Sequence, residues 1–326
     1  MRIGIVLPDI TEGYLKVARQ IGCTDIVTTL KGEAGKLPVW GYRELITQRS
    51  RIENAGLKWT VVESQQPPDV IKLGLPGRDE AIDLWCQSLR NIGAAGIPIM
   101  CYNWMPVLSW LRTSFTTRVR GDALATSYDH SLMKNAPLTW AGTVSEERLW
   151  ESLEYFLKAA VPVAEEAGVQ LAIHPDDPPL SPIAGISRIL TNPDAFQRVI
   201  DLLPSPNNGI TFCQGCFAEM GADLEAEIAR FAGQKKLFFA HFRNLRGTAE
   251  HFTEMFHDDG DTDMYRAMQA YYRAGFEGPI RPDHVPALEG EPNDRPGYSL
   301  WGRFFAVGYM RGLMEAVEKG GFQSGR

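Results

Sequence analysis

The chain has 326 residues, 44% of them hydrophobic, with a formal net charge of −7 and five cysteines. The length suits one large barrel domain or two ordinary ones, and the acidic balance argues against nucleic acid as a partner, which would call for a basic face. The cysteines lack the paired spacing of a secreted scaffold, the start Met1-Arg2-Ile3-Gly4 runs straight into a strand, and no apolar run reaches about 18 residues. A protein of the reducing cytoplasm, with no signal peptide and no membrane partner, is therefore expected.

Strands and helices alternate in chain order. Strand 2–7 precedes helix 12–21, strand 25–29 precedes helix 42–55, and strand 58–63 precedes helix 79–95. Strand 98–102 is separated from helix 146–167 by a long irregular stretch. Then come strand 170–174 with helix 193–203, strand 209–213 with helix 223–232, strand 237–241 with helix 262–274, and strand 278–281 with helix 302–318. Most of the strands are continuous apolar runs, as parallel strands covered on both faces should be. Asn192-Pro193 caps one helix, and Gly56, Gly96, Gly168 and Gly275 follow others where a left-handed residue is wanted. Eight βα units predict an α/β fold, a closed (β/α)8 TIM barrel forming a single domain over 1–326. The alternative, an open doubly wound sheet, lacks a Gly-x-Gly-x-x-Gly after the first strand. Residues 103–144 read as a loop insertion after strand four, an active-site lid, or else a solvated excursion. The tail 320–326 is expected to fray.

His174, Cys213, His241 and Asp283 sit at the ends of four successive strands, 39, 28 and 42 residues apart. That is about one strand-plus-helix unit each, so all four would face one mouth of the barrel. Imidazole, thiolate and carboxylate together describe a divalent transition-metal site better than calcium or magnesium, which prefer oxygen shells. With two neutral imidazoles the centre would carry no net charge and would tolerate an anionic substrate. Asp176 and Asp177 follow His174 and are placed to orient its ring. Cys216 completes a Cys-x-x-Cys with Cys213, a pattern also found in redox pairs and zinc knuckles, but no second such pair exists.

The motifs at these positions extend along nearly the whole chain. They include Glu63-Ser64, Tyr-Asn-Trp-Met-Pro-Val-Leu at 102–108, Arg112-Thr113, Pro-Val-Ala-Glu-Glu at 162–166 and His-Pro-Asp-Asp-Pro-Pro at 174–179. Further on stand Phe-Cys-Gln-Gly at 212–215, His-Phe-Arg-Asn at 241–244, Phe-His-Asp-Asp-Gly-Asp at 256–261, Arg-Pro-Asp-His at 281–284 and Pro-Gly-Tyr at 296–298. Together they resemble the mannonate dehydratase family, a branch of the xylose-isomerase-like barrels.

The resemblance implies conversion of D-mannonate to 2-dehydro-3-deoxy-D-gluconate and water in hexuronate (glucuronate) catabolism, with Mn2+ or Fe2+ as cofactor. It implies metal ligation by His174, Cys213, His241 and Asp283 and acid/base roles for His284 and Tyr298, without saying which is which. Contacts to a small aldonate are expected from Asn103, Trp104, Arg112, Asp176, Arg243, Asn244, His257 and Arg281. The arginines are offered to the substrate carboxylate, against the simpler reading of strand-end ion pairs; His257 either lines the mouth or caps the helix near Thr262. His130 and His251 are expected to face solvent. Two departures stand out, Ser109 where the family commonly has aspartate and Cys216 where it commonly has serine. The alternative function is a metal-dependent sugar isomerase or epimerase on the same barrel. That class typically uses two glutamates, an aspartate and a histidine, so the cysteine and second histidine tilt against it. A nuclease-type barrel would need more histidines and a basic face, and an inactive binding protein should have lost one of these six residues. Self-association is expected of such barrels, but no exposed apolar stripe marks an interface.

Overall fold

The computed structural model describes residues 1–29, 39–63 and 66–320. Ser64 of the first motif and residues 321–326 of the tail lie outside the described residues. Eight parallel strands close into a barrel: β1 (Arg2–Val6), β2 (Asp25–Thr28), β3 (Lys58–Val62), β4 (Ile99–Asn103), β7 (Gln170–His174), β8 (Asn208–Cys213), β9 (Leu237–Phe242) and β12 (Pro279–Pro282). Each matches an expected strand to within a residue at either end. β1 closes the ring by pairing with both β2 and β12, which rules out the open-sheet alternative.

The helices form the outer layer. They are α1 (Glu12–Gln20), α2 (Tyr42–Asn54), α3 (Asp69–Lys72), α4 (Arg78–Ala94), α5 (Glu146–Ala167), α6 (Pro193–Leu202), α7 (Gln214–Glu219), α8 (Leu224–Gly233), α9 (Met264–Arg273) and α10 (Leu300–Lys319). The short α3 and α7 carry too few residues to show a helical period. Asn192 caps α6 by accepting from Ala195 N, and Gly168 ends α5 at φ +66°. There a side chain would meet its own backbone, a position that suits glycine.

The core has two parts, as the barrel architecture demands. Val27, Val61, Ile99, Cys101, Ala172, Phe238 and Phe239 fill the interior of the ring. The larger cluster, including Ile5, Trp85, Leu153, Phe156 and Phe212, lies between strands and helices. Because both faces are covered, β2, β4, β8, β9 and β12 are buried along their whole length.

Residues 103–144 are not an irregular excursion. They contain β5 (Ser114–Arg118) and β6 (Leu124–Asp129), each followed or preceded by a single 3-10 turn. These two strands join β10 (Leu245–Thr248) and β11 (His251–Glu254) in an antiparallel sheet of order β10-β11-β6-β5. Tyr128, Ile183, Leu245 and Phe252 form its own small core. β5 is a half-solvated edge strand with no clean alternation, and β10 and β11 are four residues each. None offers the period on which a strand is recognised.

Candidate metal centre and active site

The ends of β7, β8 and β9 and the residue after β12 bring His174, Cys213, His241 and Asp283 together. Their ligand atoms all lie within 4.8 Å of one another. His174 Nε2 is 3.2 Å from His241 Nδ1, which in turn is 3.3 Å from Asp283 Oδ2. The outer nitrogens are turned away: His174 Nδ1 is 2.7 Å from the Pro175 carbonyl, and His241 Nε2 is 3.1 Å from Glu63 Oε1. For His174 that is the arrangement in which a backbone oxygen fixes the tautomer of a metal-binding imidazole, while the Glu63 carboxylate stands beside His241 as a charge partner. For His174 the orienting group is a carbonyl, not Asp176 or Asp177 as expected.

The donor set suits a divalent ion electrostatically. Burial alone would raise the Cys213 thiol; hydrogen bonds from Cys216, His174 and His241 override it and hold Cys213 well below the usual thiol range. Cys216 is driven the opposite way, by burial and by its negatively charged neighbour Cys213. One sulfur is therefore prepared as a thiolate ligand and the other stays a thiol. Burial also opposes ionisation of Asp283, but Arg281, His284 and His241 keep its carboxyl well below the usual range. Glu63, between Arg281 and His241, is likewise held down to about 2 against the effect of burial.

A cavity of about 210 Å³ opens above these ligands, bounded by Glu63, Gln66, Asn103, Ser109, Trp110, Asp177, Arg281, His284 and Tyr298 among others. It has room for about seven waters, or one small polar molecule. His284 Nε2 is 2.9 Å from the Tyr298 hydroxyl, and the Trp110 ring lies 5.4 Å from the His284 ring, centroid to centroid. His284 adopts φ +30°, a strained conformation for a non-glycine residue, of the kind found where a site over-determines the backbone. Burial, then the charge of Asp283, pushes the Tyr298 phenol above its ordinary value, so it keeps its proton at neutral pH. Arg303 on α10 donates to the Tyr298 carbonyl and fixes that loop.

The sequence profile of the D-mannonate dehydratase (UxuA) family matches residues 11–140 and 137–324. The chain belongs to this family. It is 37% identical to the mannonate dehydratase of Thermotoga maritima, over 86% of this chain and 87% of that protein. With that of Streptococcus agalactiae serotype Ia it shares 38%, over 86% and 88%. The crystal structure of mannonate dehydratase from Streptococcus suis serotype 2 superposes with a TM-score of 0.89 at 33% identity, covering 100% of this chain and 96% of that one. D-psicose 3-epimerase from Clostridium cellulolyticum H10 gives a TM-score of 0.62 at 13% identity, covering 97% and 99%, and shares the fold alone.

Within this mannonate dehydratase fold the expected substrate contacts divide. Asn103 and Arg281 line the cavity. Arg281 is not a free fork: Glu63 takes its Nε at 2.7 Å and Asp283 its Nη1 at 2.7 Å. Asn103 Oδ1 accepts from Lys72 Nζ at 3.0 Å and Met105 N at 3.1 Å, which leaves the amide NH2 for the cavity.

The other six are not among the residues lining the cavity. Trp104, one position on from an inward residue, points outward and packs against Phe156 in the helix layer. Asp176 is fully buried, accepts from Leu190 N at 2.8 Å and neighbours Arg188; it is Asp177 that faces the cavity. Arg112 donates to both oxygens of Asp177 at 2.6 and 2.9 Å and to Glu254 at 2.7 Å. Arg243 is saturated by Glu254, Glu219 and Asp177. Asn244 staples its own loop, accepting from Leu245 N and Thr262 N and donating to the His257 carbonyl. His257 is buried, its Nε2 2.6 Å from the Phe242 carbonyl, and burial lowers its pKa to about 4. The arginines and these polar groups are thus the ion-pair and loop framework around the site, the simpler reading. His251 is exposed, whereas His130 is half-buried against the Tyr128 hydroxyl. Gln66, Trp110, Glu219 and Glu254 carried no sequence signal of their own.

Proposed function

We infer that this chain is a mannonate dehydratase, a hydro-lyase converting D-mannonate to 2-dehydro-3-deoxy-D-gluconate and water. The observation that carries the reading is the convergence of four metal-ligating atoms within 4.8 Å, beside a cavity lined by the His284–Tyr298 pair. His174, Cys213, His241 and Asp283 would hold Mn2+ or Fe2+, soft and imidazole donors favouring a transition metal. Such an ion supplies Lewis-acid stabilisation of the charge that develops beside the substrate carboxylate.

The chain's own residues supply the rest. A poorly acidic proton next to the carboxylate must be taken by a base, and hydroxide must leave the adjacent carbon with help from an acid. His284 and Tyr298 form that pair, and the phenol, kept protonated by burial and Asp283, suits the proton-donating end. The amide of Asn103 and the second Nη2 hydrogen of Arg281 offer hydrogen bonds to substrate oxygens at the cavity wall, the other guanidinium hydrogens being held by Glu63, Pro282 and Asp283. Trp110 and Ser109, from the insertion, form part of the cavity wall, Trp110 beside His284. The reading places the work in the cytoplasm on a small aldonate; among the described residues no helix is long and apolar enough to cross a membrane. Charge balance at the ligands leaves room for that anion.

The test is turnover by manganese-reconstituted protein on D-mannonate, with a chelated control and a panel of epimeric aldonates. Metal-dependent release of a 2-keto-3-deoxy acid from mannonate is the expected result. Turnover of a different aldonate would move the specificity, and no dehydration of any despite bound metal would overturn the reading.

A further inference from the structure

We propose that Glu254 is a positioning residue for the acid/base pair, keeping His284 Nδ1 protonated so that Nε2 presents a lone pair to Tyr298 and the cavity. The inference rests on the reading of His284 and Tyr298 as that pair. Glu254 does not belong to the barrel. It ends β11 in the antiparallel sheet and is fully buried.

Two groups compete for His284 Nδ1. Glu254 Oε1 lies 2.9 Å away and Arg112 Nη2 3.1 Å away. One nitrogen cannot donate to the carboxylate and accept from the guanidinium at once, so hydrogens must be counted. Arg112 Nη2 carries two, and two carboxylate oxygens claim them: Asp177 Oδ2 at 2.9 Å and Glu254 Oε1 at 2.7 Å. None remains for the imidazole. Glu254, by contrast, can only accept when ionised, and a carboxylate has about four acceptor positions. Arg112 Nη2 and Arg243 Nη2 at 2.6 Å also point at Oε1, while Oε2 takes Arg243 Nε at 2.9 Å, so His284 shares the anionic Oε1 with two guanidinium donors. Nδ1 therefore bears the hydrogen and donates it.

In that tautomer the lone pair is on Nε2, where the Tyr298 hydroxyl donates at 2.9 Å. At rest His284 is the group able to take a proton and Tyr298 the group able to give one. A buried carboxylate behind an imidazole fixes the tautomer in this way and steadies the imidazolium when it forms. Here the carboxylate arrives from a sheet whose strands come from two separate insertions, which ties that sheet to the chemistry.

The deciding measurement is a long-range proton–nitrogen correlation spectrum of the full chain labelled with 15N-histidine at neutral pH, without metal and with diamagnetic Zn2+. The chain has six histidines, and His284 is assigned by its loss in His284→Gln. The wild-type His284 is expected to show a protonated Nδ1 and a bare Nε2. A protonated Nε2 with bare Nδ1, or a doubly protonated ring, overturns the proposal. In Glu254→Gln the tautomer should become mixed or reversed and kcat fall by about 10²-fold or more at nearly constant KM, with partial rescue in Glu254→Asp. Retention of the wild-type tautomer and kcat in Glu254→Gln also overturns it. Should that variant fail to fold, the wild-type spectrum decides alone. Failure of the dehydratase reading would appear separately, as absent turnover with the spectrum unchanged.

Discussion

Cys213 Sγ and Asp283 Oδ2 lie 3.9 Å apart although 70 residues of chain separate them. The sheet order brings them to the same mouth, with β8 and β12 on either side of β9. Removing either donor should therefore act on metal retention and leave the fold intact. For Cys213→Ala and Asp283→Ala we expect loss of stoichiometric metal after dialysis and loss of turnover. Even outer partners of metal ligands typically contribute 10–100-fold in affinity, so the loss should exceed about 10²-fold. Elemental analysis with far-UV circular dichroism checks this; full metal content in either variant would remove that residue from the ligand set.

Tyr298→Phe removes one hydroxyl 2.9 Å from His284 Nε2 and nothing that holds the metal. General acid–base partners contribute about 10²–10⁴-fold. We expect kcat to fall within that range with metal content unchanged, measured by steady-state kinetics on metal-assayed protein. A variant with wild-type kcat would exclude the phenol from proton transfer.

Gly93 lies on α4 where that helix meets the end of α5. A Cβ there would stand 2.3 Å from the Ala167 carbonyl oxygen and 2.7 Å from the Ala167 Cβ. Backbone cannot swing aside as a flexible side chain can. Gly93→Ala should destabilise the fold by about 1–3 kcal/mol through overpacking, despite alanine's better helix propensity. Urea unfolding measures it, and a midpoint equal to or above wild type would show that the two helices can part without cost.

His257 supplies a pH dependence of stability. Its pKa is lowered from 6.5 to about 4 by burial, so the fold holds it neutral while the unfolded chain protonates it. Stability from this group is complete above about pH 6.5 and is lost as pH falls toward 4, because the unfolded state binds the extra proton. One such group gives a slope of at most about 1.4 kcal/mol per pH unit. Comparison of unfolding free energies for wild type and His257→Gln from pH 7.5 to about 4.5 should show a flatter profile in the variant. Parallel profiles would mean that His257 is not the group responsible.

The barrel was legible because most of its strands are apolar runs buried on both faces, each followed by a helical stretch, several of them marked by a cap or a terminal glycine. The convergence of His174, Cys213, His241 and Asp283 was legible too, since strand ends of a closed barrel share one mouth. What the chain concealed depends on direction and reach. Asn103 and Trp104 are neighbours, and only strand alternation, known once the register of β4 is fixed, sends one inward and the other to Phe156. Asp176 and Asp177 exchange roles through the path of a turn. Arg112 and Arg243 have side chains long enough to leave the mouth and pair sideways with Glu254, so neither lines the cavity despite its position near the site. The antiparallel sheet was hidden because its strands are short, polar or half-solvated, and because β6 pairs with a strand more than a hundred positions later.

Arg112 from the insertion after β4, Asp177 from the turn after β7, and Arg243 and Glu254 from the segment after β9 share one buried charge network. Exchanging loops between barrels is a common route to new specificities, and here it meets a constraint. Transplanting either hairpin alone into another scaffold would strand ions in the interior, where a charge deprived of its partner costs about 3–5 kcal/mol. The two hairpins and the turn after β7 form one heritable unit, to be redesigned together or left in place.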